Sequence, residues 1–360
     1  MREEWKMRST IDPHYKENIM TTIDRRTGPL RVLRQCLRVL PWAATLLLAL
    51  CFGSHAVLAA SDYPNRPIQM IVPFPAGGPA DIVGRLYGQH LSTILGQPVI
   101  IQNPVGAAGI IGTEAVARAN PDGHTILFGS TSSFVINQII MKKLPYDFSK
   151  DFTLIGLIAN APHVLAVRNT LPAKTVTELI ALAKKNPGKY TFATAGAGTI
   201  VAMGGELFKY EAGIDIMHVP YKGGAPATLA VLSGQVDMTV NDLTTLGPHL
   251  ASGKLRALAV ANNSRLKPLP NTPTFPELGM PRIVSSTWWG TAVPIKTPGN
   301  IQTRLRAANS RIVAEPDFEA RLAKMAVEPL VLTPEQSSAF IAKEVEKWKK
   351  VAVAANIHLD

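Results

Sequence analysis

Cysteine is almost missing from this chain. The 360 residues contain two, Cys36 and Cys51, and none after position 60. Beyond that point thiol nucleophiles, disulfides and cysteine-ligated metals are therefore excluded. The histidines are scattered: those at 90, 124, 163, 218, 249 and 358 form no H-E-x-x-H or H-x-x-x-H spacing. There is no G-x-S-x-G elbow and no G-x-x-x-x-G-K-[ST] loop. "GAAGIIG" has its glycines at 106, 109 and 112, and "GAGTIV" has Val201 in the third glycine position, so neither is a dinucleotide fingerprint. No Lys/Arg cluster interleaved with aromatics is present, which removes nucleic acid as a partner. What remains of enzymology is a secreted hydrolase using Ser130 or Ser132 with a distant histidine, since an isolated Ser and His carry no triad geometry.

The first 60 residues have their own logic. Arg25, Arg26, Arg31, Arg34 and Arg38 make a basic stretch, and Leu40 to Phe52 an apolar run of 13 residues. That run is short of the ~20 residues a membrane span needs. "GSHAVLAAS" then offers small residues for cleavage after Ala59 or Ala60. This is the order of a secretory signal peptide, so residues 1–60 are read as a signal with an N-terminal extension and the mature protein as periplasmic. Arg25-Arg26 lacks the apolar residues that follow a twin-arginine motif, and Leu50 is too bulky to precede a lipidated Cys51. The segment carries nine Lys/Arg and five Asp/Glu, so its removal lowers the net charge from +11 to +7. A moderate positive charge favours small anions.

The mature part is long enough for two lobes with their own cores. Strand-like segments ("IQMIVPF", "PVIIQN", "HTILFGS", "FTLIGLIA", "HVLAVR", "YTFATA", "DIMHVPY", "VDMTVND") alternate with helix-like ones. "FTLIGLIA" and "HVLAVR" read as two strands flanking Pro162. "TVTELIALAKKNP" reads as a helix capped by Thr175 with Glu178 as capping-box partner. The alternation argues for an α/β fold of mainly parallel sheet flanked by helices. Ligands of such sheets sit at the carboxyl ends of the strands.

Polar or glycine-rich loops recur at those ends. They are Pro73 to Asp81, Asn103 to Gly112, "GSTSS", Ala195 to Thr199, Pro220 to Gly224, and "ND" after "VDMTV". In "IVPFPAGGPAD" a strand runs through a glycine loop into a helix N-terminus, a place where backbone N–H groups can hold an anion. A phosphate loop recruits Lys or Arg and this one has none, which favours a small carboxylate. Asp81 also fits an ordinary helix N-cap. Trp288 and Trp289 are adjacent, so on a strand one at most can line a cleft.

At these residues the chain resembles the solute-binding proteins of tripartite tricarboxylate transporters, the Bug or TctC family. The resemblance spans the mature chain and rests on "YPNRPIQMIVPFPAGGPADIVGR", "NPVGAAGIIGTEAVARANPDGHTILFGS", "HVPYKGGAPATLAVLSGQVDM", "GKLRALAVANNSR", "LPNTPTFPELG" and "WWGTAVPIKTP". It implies a two-lobed type II periplasmic binding protein: residues 61–160 plus 284–360 as lobe 1, residues 161–283 as lobe 2. It implies a carboxylate ligand between the lobes, held by Phe74, Ala76, Gly77, Gly78 and Asp81 of the first loop. Ser130, Thr131 and Ser132, then Ala195, Gly196, Gly198 and Thr199, then Tyr221, Lys222 and Gly223, and Asp242 complete the expected site. No catalytic residue, metal or cofactor is implied. The partners would be a small organic anion and the membrane permease subunits of the transporter, with the binding protein a monomer. A binding protein that feeds a signalling receptor would use the same cleft. Two positions depart from the family's usual residues, Ile110 for Asn and Ala202 for His; if they face the cleft, they make it less polar.

Overall fold

The computed structural model describes residues 63 to 359, so the signal-peptide reading falls outside it. Three short strands open the fold: β1 (Ile68–Ile71), β2 (Val99–Gln102) and β3 (Thr125–Ser130), parallel and in the order β2-β1-β3. The sheet then continues through β9 (Ser286–Pro294) and β4 (Phe152–Arg168) to β7 (Met238–Asp242), β5 (Thr191–Thr194) and β6 (Met217–Pro220). Both ends are parallel, as the alternation predicts, with β5 pairing β6 and β7. The centre is antiparallel: β9 pairs β3 and β4, and β4 also pairs β7, β8 (Leu255–Val260) and β10 (Glu328–Pro329). The result is a mixed, curled sheet with helices on it, the α/β class expected.

The two strands expected around Pro162 are one, the 17-residue β4. Pro162 does not break it because the strand changes partners there. Pro162 is the last residue paired with β9, opposite Ser286, and His163 the first paired with β7, opposite Asp242. A missing N–H costs least where one ladder ends and the next begins.

Among the described residues, nine helices of eight or more residues flank the sheet: α1 (Pro79–Leu95), α2 (Ile110–Ala117), α3 (Val176–Lys185), α4 (Ile200–Ala212), α5 (Gly224–Leu232), α6 (Leu243–Ala251), α7 (Gly299–Val313), α8 (Pro316–Ala323) and α9 (Pro334–Ala354). Thr175 caps α3 by accepting the Glu178 N–H at 3.1 Å. The Glu178 carboxylate reaches the Lys174 N–H at 2.5 Å, one residue earlier than a capping box requires.

Helix α1 lies unusually close to the sheet. A Cβ on Gly84 would stand 3.1 Å from Val72 Cγ2, and one on Gly88 3.1 Å from Met70 Cε. These two glycines, one helical turn apart, let the helix seat on β1 and fix where its N-terminus points. Behind β9, Trp288 is fully buried and stacks flat on Phe134, with ring centroids 5.6 Å apart.

Candidate functional site

The carboxyl ends of β1, β3, β5 and β7 meet the N-termini of α1, α4 and α5 around one cleft, whose empty space, open mouth included, is about 630 Å³. Phe74 to Ala76 and Gly78 to Ala80 form one wall, and Ser130 and Ser132 the end of β3. Ala195 and Thr199 to Val201 face them, with Gly223 to Pro226 beside. Asn241, Asp242, Thr287 and Trp289 make up the rest. Among the described residues no lysine or arginine lines it.

The first wall is held by Asp81. This residue is the third of α1 and not its N-cap, which is Gly78. Its side chain turns back under the loop. Oδ2 accepts the Gly77 N–H at 2.9 Å and Arg85 Nε at 2.9 Å, and Oδ1 accepts Asn103 Nδ2 at 3.1 Å. Asn103 Nδ2 also donates to the Phe74 carbonyl at 3.0 Å. Burial alone would raise the Asp81 carboxyl, but hydrogen bonds from Arg85, Gly77 and Asn103 outweigh it and hold it below the ordinary carboxylate range. Gly77 has φ +74°, a left-handed backbone that a side chain would strain. The Gly77 and Gly78 N–H groups are therefore spent inside the loop, the second on the Pro75 carbonyl at 3.2 Å.

The free donors lie one turn further on. Gly78, at the N-cap, has no side chain to cap with, and Pro79 has no N–H, which leaves the Ala80 and Asp81 N–H groups without an acceptor among the described residues. Helix α5 repeats the device: Gly223 is its N-cap, Pro226 its third residue, and the Gly224 and Ala225 N–H groups are left over. In α4, Thr199 caps the Ala202 N–H at 3.3 Å and Ser132 Oγ accepts the Ile200 N–H at 3.1 Å, leaving Val201. The walls also approach closely: a Cβ on Gly223 would stand 3.2 Å from Pro75 Cγ. Three helix N-termini thus aim partial positive charge at one space.

Of the expected site residues, Phe74, Ala76, Gly78, Ser130, Ser132, Ala195, Thr199, Gly223 and Asp242 line the cleft. Gly77 and Asp81 shape its loop from behind. Thr131 is buried and exchanges hydrogen bonds with the Trp288 backbone. Gly196 makes the turn before α4, its carbonyl accepting the Thr199 hydroxyl at 2.7 Å, and Gly198 sits against Ala108. The Tyr221 N–H extends the β5–β6 pairing to the Thr194 carbonyl at 2.9 Å, and Lys222 is exposed. The site residues chosen from sequence stop short of Ala225 and Pro226 in α5 and omit Thr287; Asn241 lies in the "ND" stretch but is not among those chosen. For α5 a signal existed: "GGAPAT", glycines and an early proline before an apolar run, is a helix start. Trp289 lines the cleft and Trp288 the core, as alternation requires. Ile110 is buried in the core and Ala202 lines a separate concavity beside His218, so the two departures from the family pattern do not alter this cleft.

Asp242 is the one ionisable residue lining the cleft among the described residues. Burial pushes its carboxyl up to about 7, against a hydrogen bond from Thr287. Its Oδ1 has no hydrogen-bond partner and stands 3.5 Å from His163 Nε2. His163 is fully buried at the point where β4 changes partners, with Ser285 Oγ 2.8 Å from Nδ1 and Thr287 Oγ1 3.0 Å from Nε2. Burial, with Lys347 adding to it, lowers its pKa to about 3, so the imidazole is neutral.

A sheet of two parallel ends joined by long central strands, with a cleft of helix N-termini, defines a periplasmic-binding-protein architecture. The chain belongs to the tripartite tricarboxylate transporter family receptors, whose family model matches residues 83–357. It is 37% identical to protein BugT of Bordetella pertussis over 301 residues, 83% of this chain and 92% of that one. A Rhodopseudomonas palustris protein solved with adipate superposes with a TM-score of 0.80 at 32% identity, covering 82% of this chain and 99% of that one. MatC of Rhodopseudomonas palustris, solved with bound malate, gives 0.75 at 32% identity, covering 80% and 99%.

Proposed function

We propose that this protein is exported to the periplasm, captures a small organic carboxylate in the cleft, and delivers it to the permease of a tripartite tricarboxylate-type transporter without chemical change. The observation that carries this reading is the convergence of three uncapped or partly capped helix N-termini on a space that no lysine or arginine lines. Backbone N–H groups and helix dipoles bind carboxylates directly. The malate- and adipate-bound relatives lend the ligand class.

The lobes proposed are residues 61–160 plus 284–360 and residues 161–283. Support comes from β4, whose residues up to Pro162 pair with β9 and β10 and whose residues from His163 pair with β7 and β8. The hinge would then include Pro162 and His163. A ligand gripped by both lobes stabilises the protein by ~2.7 kcal/mol at a hundredfold excess over Kd. Thermal-shift screening of carboxylates should find one, and small-angle scattering should show compaction with it. A tight ligand that leaves the scattering unchanged would refute closure, and a screen without a carboxylate hit would refute the ligand class.

A further inference from the structure

We propose that Asp242 is a subsite for a positively charged group, so that the cleft takes a zwitterion: an amino-substituted carboxylic acid with its carboxylate at the helix N-termini and its ammonium against Asp242. This rests on the carboxylate reading above and narrows it.

The charges of the cleft carry the argument. Its anion-binding parts are backbone N–H groups, and among the described residues its only ionisable lining residue is itself an acid. The Asp242 side chain is 6% exposed and has no lysine or arginine partner among the described residues. The nearest base, His163, is 3.5 Å away, already shared between Ser285 and Thr287, and buried in its neutral form. Asp242 is also the N-cap of α6 but makes no side-chain cap, so that helix does not engage its carboxylate. A buried carboxylate without a counter-charge is costly. A proton relieves that cost in the empty protein, and a ligand ammonium relieves it in the complex. A plain dicarboxylate would instead bring two negative charges to a cleft that already holds an acid.

The test compares matched acids by calorimetry in neutral buffer: aspartate with succinate, glutamate with glutarate, alanine with propionate. For wild type, the amino acid of at least one pair should bind about 10- to 100-fold more tightly than its deaminated partner, the worth of a charged hydrogen bond. Asp242→Asn keeps the shape and the Thr287 contact and should abolish that preference while retaining the deaminated acid. Equal or tighter binding of the deaminated partners by wild type overturns the inference and leaves the carboxylate reading standing. So does a preference that survives in folded Asp242→Asn. Failure of all six acids to bind overturns both.

Discussion

Gly78→Ser separates what the first helix does for the fold from what it does for the ligand. Gly78 sits at the N-cap of α1 with φ −81° and ψ 171°, the extended backbone a capping serine uses. A serine hydroxyl there would accept from the Ala80 or Asp81 N–H, one of the two α1 donors proposed for the carboxylate. Its Cβ would stand 3.1 Å from the Pro75 carbonyl oxygen, a tight but small intrusion. Serine outranks glycine at an N-cap by only a few tenths of a kcal/mol, and the crowding opposes that gain. The stability of the empty protein should therefore move by no more than about 0.5 kcal/mol in urea denaturation. Binding should move much more. Loss of one charged hydrogen bond costs ~1.5–3 kcal/mol, so the Kd for the best carboxylate should rise about tenfold or more. Calorimetry reads the second quantity directly. Unchanged affinity in a Gly78→Ser protein whose hydroxyl is seen on that N–H would refute the assignment of these donors.

The remaining predictions concern titration, fluorescence and processing. Asp242, raised to about 7 when folded against ~3.9 unfolded, makes stability fall as pH rises through that window, because there the folded state holds the extra proton. His163, lowered to about 3 against ~6.5 unfolded, makes stability rise with pH between those values. The two oppose one another from about pH 4 to 6.5, so Asp242→Asn should lose stability on acidification more steeply than wild type; parallel denaturation profiles would contradict this. Ligand should change the tryptophan emission through Trp289, and Trp289→Phe should remove that change while Trp348→Phe, altering a fully buried ring away from the cleft, should not. Protein recovered from the periplasm should begin near Ala60 or Ser61 on N-terminal sequencing, and full-length protein in the membrane fraction would contradict export.

Much of the cleft was legible because strand-end glycine loops have a strong local signature. "PFPAGGPAD", "GSTSS" and "AGAGT" all reach it. The precise donors were not legible. The family resemblance put Gly77 and Gly78 among the residues holding the carboxylate, and the structure gives their N–H groups to Asp81 and the Pro75 carbonyl, because a carboxylate three residues into a helix can fold back on its own loop. The centre of the sheet was hidden for a different reason. Strand β8 and the pairing of β9 are long-range choices, and an apolar run such as "STWWGTAVP" carries no sign of which neighbour it will take or in which direction. Pro162 misled because its usual meaning as a breaker depends on a ladder that here was about to change partners. Asp242 was visible as a polar residue at a strand end, but its lack of a counter-charge depends on burial and on a histidine 79 residues away in sequence.

A crystal structure of the protein with a bound carboxylic acid would show directly whether helix N-termini hold the ligand. Carboxylate oxygens should lie ~2.7–3.0 Å from backbone N–H groups of Ala80 or Asp81 and of Gly224 or Ala225, with no lysine or arginine in contact. A carboxylate held instead by basic side chains, or seated outside this cleft, would contradict this binding mode.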